Sequence, residues 1–517
     1  MTDTANQETR VLGAGASVAL GGALAGSALT YLTGLIVSRL VGAELLGVYF
    51  LAIIWLTLGS TIARLGLSDA LLRFVPPARL RGDRTEASLA IKTAVCLGAG
   101  AGIVLAGLFS ILLVWLRAGS SNRLVASYLG WFLWALPLHV IFTLLLMVIQ
   151  AHQWMGRVAA IRDLLQPLLL IGLTVALVRV AGPRIGLVGG FVLSLALAIP
   201  LALLSVERIA PGAFTTPGWA PVRPMLLFSL PVMLSDASSY AYRWLDTLVI
   251  GRLLTLRDVG IYNAASRTAL LVSLVLTGAN AIYASVAAGY FNTSRVDQLQ
   301  RALHAAMRWC LLLALPLVLF LVVGGDWILS LWGREFSEAA PALVILAGAH
   351  LVGIPAGLFA YTLVMCNRER VELLNTLVLL ALLLATNLLL IPLVGFPGAA
   401  VALFVVNTLA LLVRGYEVRR LLGVQPFAAS LLKPIGVALL ALVVASVVRS
   451  TIPLLLPAAG PAPAVADAPA LLASLAVLGS IVAIAFFGPC LLVDAQGREL
   501  VRVSLLRLLR PGRPAAE

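Results

Sequence analysis

The chain is 517 residues long, 61% hydrophobic and only 11% charged, far more apolar side chain than one water-soluble core can hide. Lys and Arg number 36 against 22 Asp and Glu, a net charge of +14, and every base except Lys92 and Lys433 is Arg. A large soluble catalytic domain is excluded because no stretch of about 100 residues escapes apolar runs of roughly 20; nucleic-acid binding is disfavoured because the bases are scattered between those runs.

Met1 to Arg10 is polar and lacks the basic start of a cleavable leader, so the first run is expected to stay as a transmembrane helix. Runs long enough to cross a hydrocarbon core of about 30 Å follow in order. The first six are Val11 to Ser38, Leu45 to Leu67, Leu89 to Leu116, Leu124 to Ile149, Leu164 to Val180 and Ile185 to Val206. A Pro-rich break, Pro211 to Pro224, precedes Met225 to Ile250, Val259 to Ala288, Ala305 to Val323, Ala340 to Met365, Leu373 to Val394 and Gly398 to Val413. Phe427 to Val448 and Ala470 to Val493 complete fourteen. With the N-terminus inside, the alternate connections hold 24 bases on the inner side and nine on the outer, which predicts that both ends are cytoplasmic. Beyond the last run, Arg498, Arg502, Arg507 and Arg510 punctuate leucines and valines, a pattern suited to an amphipathic helix on anionic headgroups.

Arg39-Leu40 followed by Gly47-Val48-Tyr49 reappears 213 residues later as Arg252-Leu253 followed by Gly260-Ile261-Tyr262. Six helices separate the copies, so the halves run the same way through the membrane, a parallel repeat. The expected architecture is all-α and polytopic: a tail, 1–10; an N-terminal six-helix lobe, 11–210; a C-terminal six-helix lobe, 222–415; two further helices, 427–493, packed on the C-terminal lobe as a brace or as a groove for a lipid tail; and a basic tail, 494–517.

Three arginines lie inside predicted spans, where a charge costs roughly 2.5–3.5 kcal/mol and therefore faces a polar cavity or a partner. Projected at 100° per residue, Arg64 shares a polar arc with Thr57, Ser60, Thr61 and Ser68. Asp236, Ser239, Tyr240, Arg243 and Asp246 share a face of the seventh helix, and Asn263, Ser266, Arg267, Ser273, Thr277 and Asn280 a face of the eighth. The structural alternative pairs Arg64 with Asp69 and Arg243 with Asp246. The functional reading puts Arg64, Arg243 and Arg267 in a net positive cavity lined by the first, second, seventh and eighth helices. There their planar forks suit phosphate, and Thr57, Ser60, Thr61, Tyr240, Asn263 and Asn280 add polar lining. Asp236 and Asp246 are the candidates for carrying a proton or sodium ion.

Cys96, Cys310, Cys366 and Cys490 form no CxxC pair, and His139, His152, His304 and His350 have no second ligand type at metal spacing, so neither a metal nor a cofactor is expected. Neither a nucleotide-binding GxxxxGK[ST] nor a long reactive loop occurs, which argues against an enzyme.

The joint Ser38-Arg39-Leu40 through Glu44, Gly47 and Tyr49, followed by Arg64-Leu65-Gly66-Leu67, resembles the polysaccharide transporter family, the oligosaccharide-lipid flippases of the multidrug, oligosaccharidyl-lipid and polysaccharide exporter superfamily. The resemblance implies a flippase that moves undecaprenyl-pyrophosphate-linked oligosaccharide across the bacterial inner membrane by alternating access. Cell-surface or exopolysaccharide assembly would follow, with membrane lipids and polysaccharide polymerase machinery as partners. An ion-coupled multidrug antiporter of the same superfamily, or a lipid II flippase, is the alternative. Related lipid II flippases carry a basic residue inside the first helix, and the first run here has none between Val11 and Ser38.

Overall fold

The structure is a computed structural model that describes residues 2–117, 128, 130–428, 431–455 and 468–493. The basic tail, 494–517, lies outside the described residues. Among those described the chain is all-α, and eight helices are long and apolar enough to cross a membrane. It is a multi-pass membrane protein.

The helices are α1 (Thr2–Ala63), α2 (Leu67–Leu80), α3 (Arg84–Arg117), α4 (Leu136–Ala151), α5 (Gln166–Ile209), α6 (Val222–Leu253), α7 (Leu256–Asn292), α8 (Val296–Ser330), α9 (Ala340–Met365), α10 (Glu369–Val394), α11 (Phe396–Leu422), α12 (Leu432–Leu455) and α13 (Ala468–Val493). Among the described residues the apolar runs fall on helical segments, apart from breaks at 64–66 and 134–135 and the non-helical start of the run at Phe427. Two of the helices are each a pair: α1 breaks at Gly42 (φ 75°) and α5 at Gly182 (φ 85°), positions where a residue with a Cβ would be strained. A π-helical turn, Ala159–Leu165, leads into α5. Its Asp163 takes two bonds from Arg162 and lies against Gly22 and Gly26 of α1.

The chain forms two compact units. One comprises Met1–Ala264 and Leu373–Ala399; the other comprises Ala265–Glu372 and Ala400–Glu517. In the first unit the joint found in the sequence is a reciprocal crossing. A Cβ on Gly47 would stand 2.0 Å from the carbonyl oxygen of Leu256, and a Cβ on Gly260 would stand 2.0 Å from that of Ala43. Ala43 and Leu256 are themselves 213 residues apart, so each copy of the glycine receives the same backbone atom of the other copy. That is the signature of a local two-fold relation, the intramolecular equivalent of an isologous contact.

Backbone punctuation extends the repeat where side chains had hidden it. Gly82 (φ 77°) and Ser294 (φ 56°), 212 apart, end their helices with the same pair of bonds: Gly82 N–H to Arg79 O and Asp83 N–H to Ala78 O, against Ser294 N–H to Phe291 O and Arg295 N–H to Tyr290 O. Gln153 (φ 62°) and Asn367 (φ 59°), 214 apart, do likewise after α4 and α9. Gly182 and Gly395, 213 apart, both adopt positive φ. Gly186 packs on Val178 backbone as Gly398 packs on Leu390 backbone, again 212 apart in each member.

In the second unit α12 and α13 pack on α8. Ala438, Ala441, Ala445, Leu475, Leu478, Val482 and Phe486 share a core with Leu311, Leu315 and Val318, and a Cβ on Gly324 would meet Leu478 at 2.9 Å. Lipid tails are as apolar as these side chains, so close van der Waals fit rather than water exclusion holds them there.

Candidate polar sites in the helical units

The first unit builds its site on a break in the chain. After Ala63 the helix stops: Leu65 (φ 50°) and Gly66 (φ 70°) are left-handed, and α2 restarts at Leu67. Gly66 is required twice over, because a Cβ there would stand 2.0 Å from the carbonyl oxygen of Ser229 and 3.1 Å from the amide nitrogen of Met233, so α6 lies on this turn.

Arg64 sits in the break and is partly buried. Its Nε–H donates to Ser60 O (3.2 Å), Nη1 to Ser68 Oγ (3.2 Å) and Nη2 to Thr61 Oγ1 (3.0 Å). The Thr61 hydroxyl in turn donates to Thr57 O (2.9 Å). The arc read from helical periodicity is therefore a bonded set, in which neutral oxygens fix the guanidinium. One electrostatic partner comes from elsewhere in the chain. Asp236 lies three residues beyond Met233, on the face of α6 that meets the break, and together with Asp69 it acts electrostatically on Arg64. Asp69 lies just past the span in α2; partial burial raises its carboxyl pKa above the ordinary carboxylate value, and Arg64 pulls it back.

Sequence reasoning missed His139, which it weighed only as a metal ligand. In α4 its Nδ1 lies 2.8 Å from Ser60 Oγ, its ring stacks on Phe191 (centroids 6.3 Å apart, planes at 25°), and it feels the charge of Arg64. A separation of 79 residues carries no periodic signal that could have revealed the pair.

The acid beside Arg243 has a different partner from the one spacing suggested. Asp246 is buried; it accepts the Tyr262 hydroxyl proton and the Thr247 backbone N–H (2.7 Å). Asn263, also buried, donates to Val259 O (3.0 Å) and reaches toward Thr247 Oγ1. The α6–α7 corner is thus a polar joint, and Arg243 is exposed beside it, with Tyr240 half-buried one turn earlier. In the second unit α7 continues with Arg267 partly buried and Asn280 buried, while Ser273 donates to Leu270 O (2.7 Å). The first unit therefore gathers Thr57, Ser60, Thr61, Arg64 and Asp236 around one break and Asp246 with Asn263 at another place. Among the described residues no group of three or more His, Cys, Asp or Glu could hold a metal ion.

Comparisons with known proteins agree with this architecture. Solved structures share the fold: the inward-facing form of a multidrug resistance MATE family transporter of the MOP superfamily superposes with a TM-score of 0.63 at 16% identity, covering 79% of this chain and 98% of that one. A MOP superfamily transporter from Pyrococcus furiosus reaches 0.59 at 14% identity, covering 81% and 96%. Two curated relatives come from Haloferax volcanii. The probable low-salt glycan biosynthesis flippase Agl15 is 27% identical over 227 residues, 43% of this chain and 46% of the relative. The probable flippase AglR is 30% identical over 183 residues, 34% and 38% respectively. The chain thus spans less than half the length of either relative. A MatE family model matches residues 231–382. The model described as polysaccharide biosynthesis protein matches residues 12–283, more than half of the sequence and including the glycine crossing and the Arg64 break, and the chain belongs to that family.

Proposed function

We propose that this protein is a flippase for lipid-linked oligosaccharide, moving an undecaprenyl-diphosphate carrier and its glycan from the inner to the outer leaflet of a bacterial cytoplasmic membrane by alternating access. The observation that carries the reading is Arg64: an intramembrane guanidinium fixed by three neutral oxygens in a helix break, within a chain of this family. Such a group has N–H donors left over for an anion such as a diphosphate. Arg243 and Arg267 are proposed as further head-group contacts, with Tyr240, Asn263 and Asn280 as polar lining. The proposed topology is fourteen spans with both ends cytoplasmic, two parallel six-helix lobes and a two-helix brace. Polymerase machinery would receive the exported glycan.

For ion coupling, Asp236 is the better placed of the two acids. It is exposed and acts on Arg64, whereas Asp246 is enclosed by Tyr262 and Thr247. The MatE match over 231–382 favours a second reading, an ion-coupled multidrug antiporter. Deleting the gene separates the two. The flippase reading expects lipid-linked oligosaccharide to accumulate unexported, with rescue by the wild type and not by Arg64→Ala. Normal glycan export combined with new drug sensitivity would replace it with the antiporter.

A further inference from the structure

His139 offers the head group a second donor beside Arg64, an inference that rests on the flippase reading and adds a contact to it. Ser60 is fully buried, its carbonyl holds Arg64 Nε, and its hydroxyl meets a single partner among the described residues, His139 Nδ1 at 2.8 Å. A buried hydroxyl proton with no acceptor costs about 1–3 kcal/mol. The low-energy arrangement therefore has Ser60 donating to an unprotonated Nδ1, which places the ring proton on Nε2. No described residue bonds that nitrogen, and the side chain is only partly buried. Phe191 stacked on the ring and Ser60 at its edge fix the direction in which Nε2 points. An unbonded polar N–H at membrane depth is tolerated where it faces a polar space, and Ser60, whose hydroxyl meets the ring and whose carbonyl holds Arg64, puts the ring beside the Arg64 site.

We propose that His139, as a neutral imidazole oriented by Ser60, donates its Nε2–H to a diphosphate oxygen of the substrate held by Arg64. Two neutral replacements test this, because each imitates one ring nitrogen. Asn places an amide near the Nδ1 position and keeps a partner for Ser60 but has no distal donor; Gln reaches the Nε2 position with an N–H and gives up the Ser60 contact.

The full-length protein in detergent is titrated with undecaprenyl diphosphate, and thermal unfolding of each variant confirms that it is folded. His139→Asn should bind about tenfold more weakly than the wild type, the loss of one hydrogen bond to a charged acceptor, while His139→Gln stays within about threefold of it. Ser60→Ala, which frees the ring to turn, provides an independent arm and should lie between the two. Asn retaining affinity while Gln loses it would make His139 a structural prop for Ser60 and overturn the proposal, as would equal affinities for wild type, Asn and Gln, or an equal loss in both variants. A wild type that binds undecaprenyl diphosphate normally while these patterns fail leaves the flippase reading standing; a wild type that does not bind it removes both.

Discussion

The two copies of the glycine crossing share a backbone and differ in chemistry. At both, a glycine meets the carbonyl of the other copy at a distance no Cβ allows, and a buried tyrosine, Tyr49 or Tyr262, follows two residues later. Yet the position that is Asp246 in the second copy is Thr33 in the first, where the hydroxyl turns back to Leu29 O (2.8 Å). The position that is Arg64 in the first copy is Thr277 in the second, and the counterpart of Asp236 is Ala23. Geometry that only glycine satisfies has been kept in both halves, while Arg64, Asp236 and Asp246 each occur in one half alone. The duplicated scaffold thus carries Arg64 on one copy and Asp236 and Asp246 on the other.

The largest effect expected is at the charge. Arg64→Thr makes the first copy match the second at this position and should reduce glycan flipping at least about a hundredfold, the scale of losing charge-assisted bonds to a phosphate. Retained flipping, measured in proteoliposomes, would mean that the asymmetry is structural. Next come the glycines: Gly47→Ala and Gly260→Ala should each destabilise the protein by about 1–3 kcal/mol or prevent its recovery. Because the contact is reciprocal, their unfolding midpoints in detergent should fall alike; a large inequality would break the two-fold comparison.

Tyr262→Phe removes the hydroxyl donor from a buried carboxylate and should cost about 1–3 kcal/mol. Tyr49→Phe should cost less, because the residue at the equivalent of Asp246 is a threonine bonded within its own helix. Reversal of that order in chemical unfolding would show that the shared tyrosines do different work from that inferred.

The smallest effect lies outside the spans, at the end of α4. Burial lowers the His152 pKa below its ordinary value, the hydrogen bond to Val148 O opposes this, and Arg79 lowers it further. The unfolded chain therefore takes up this proton first. The stability contributed by the neutral ring is present above about pH 6.5 and is lost as pH falls through the folded value. In His152→Gln the acid-side decline in unfolding temperature should be shallower than in the wild type; an identical pH profile would remove His152 from that account.

Much of this molecule was legible in its residues. Apolar runs longer than a bilayer is thick admit no other class, and the spacing of Thr57, Ser60, Thr61, Arg64 and Ser68 drew a polar stripe whose members are found bonded to one another. One copy of the repeat showed because its glycines and tyrosines are fixed as residue types. Others stayed hidden because Gly82 and Ser294, or Gln153 and Asn367, share a backbone conformation and not a side chain. Partners across helices were out of reach for a simpler reason: helical period reports which residues of one helix share a face and says nothing about what that face meets. Spacing offered Arg243 to Asp246, but packing gave Asp246 to Tyr262, and only the close fit of Gly66 on Ser229 brought Asp236 to Arg64. Composition and periodicity determined the solvent, the helices and the arc; tertiary contact decided which charges meet, because a Coulomb interaction strengthens as the separation falls and those separations are set by packing.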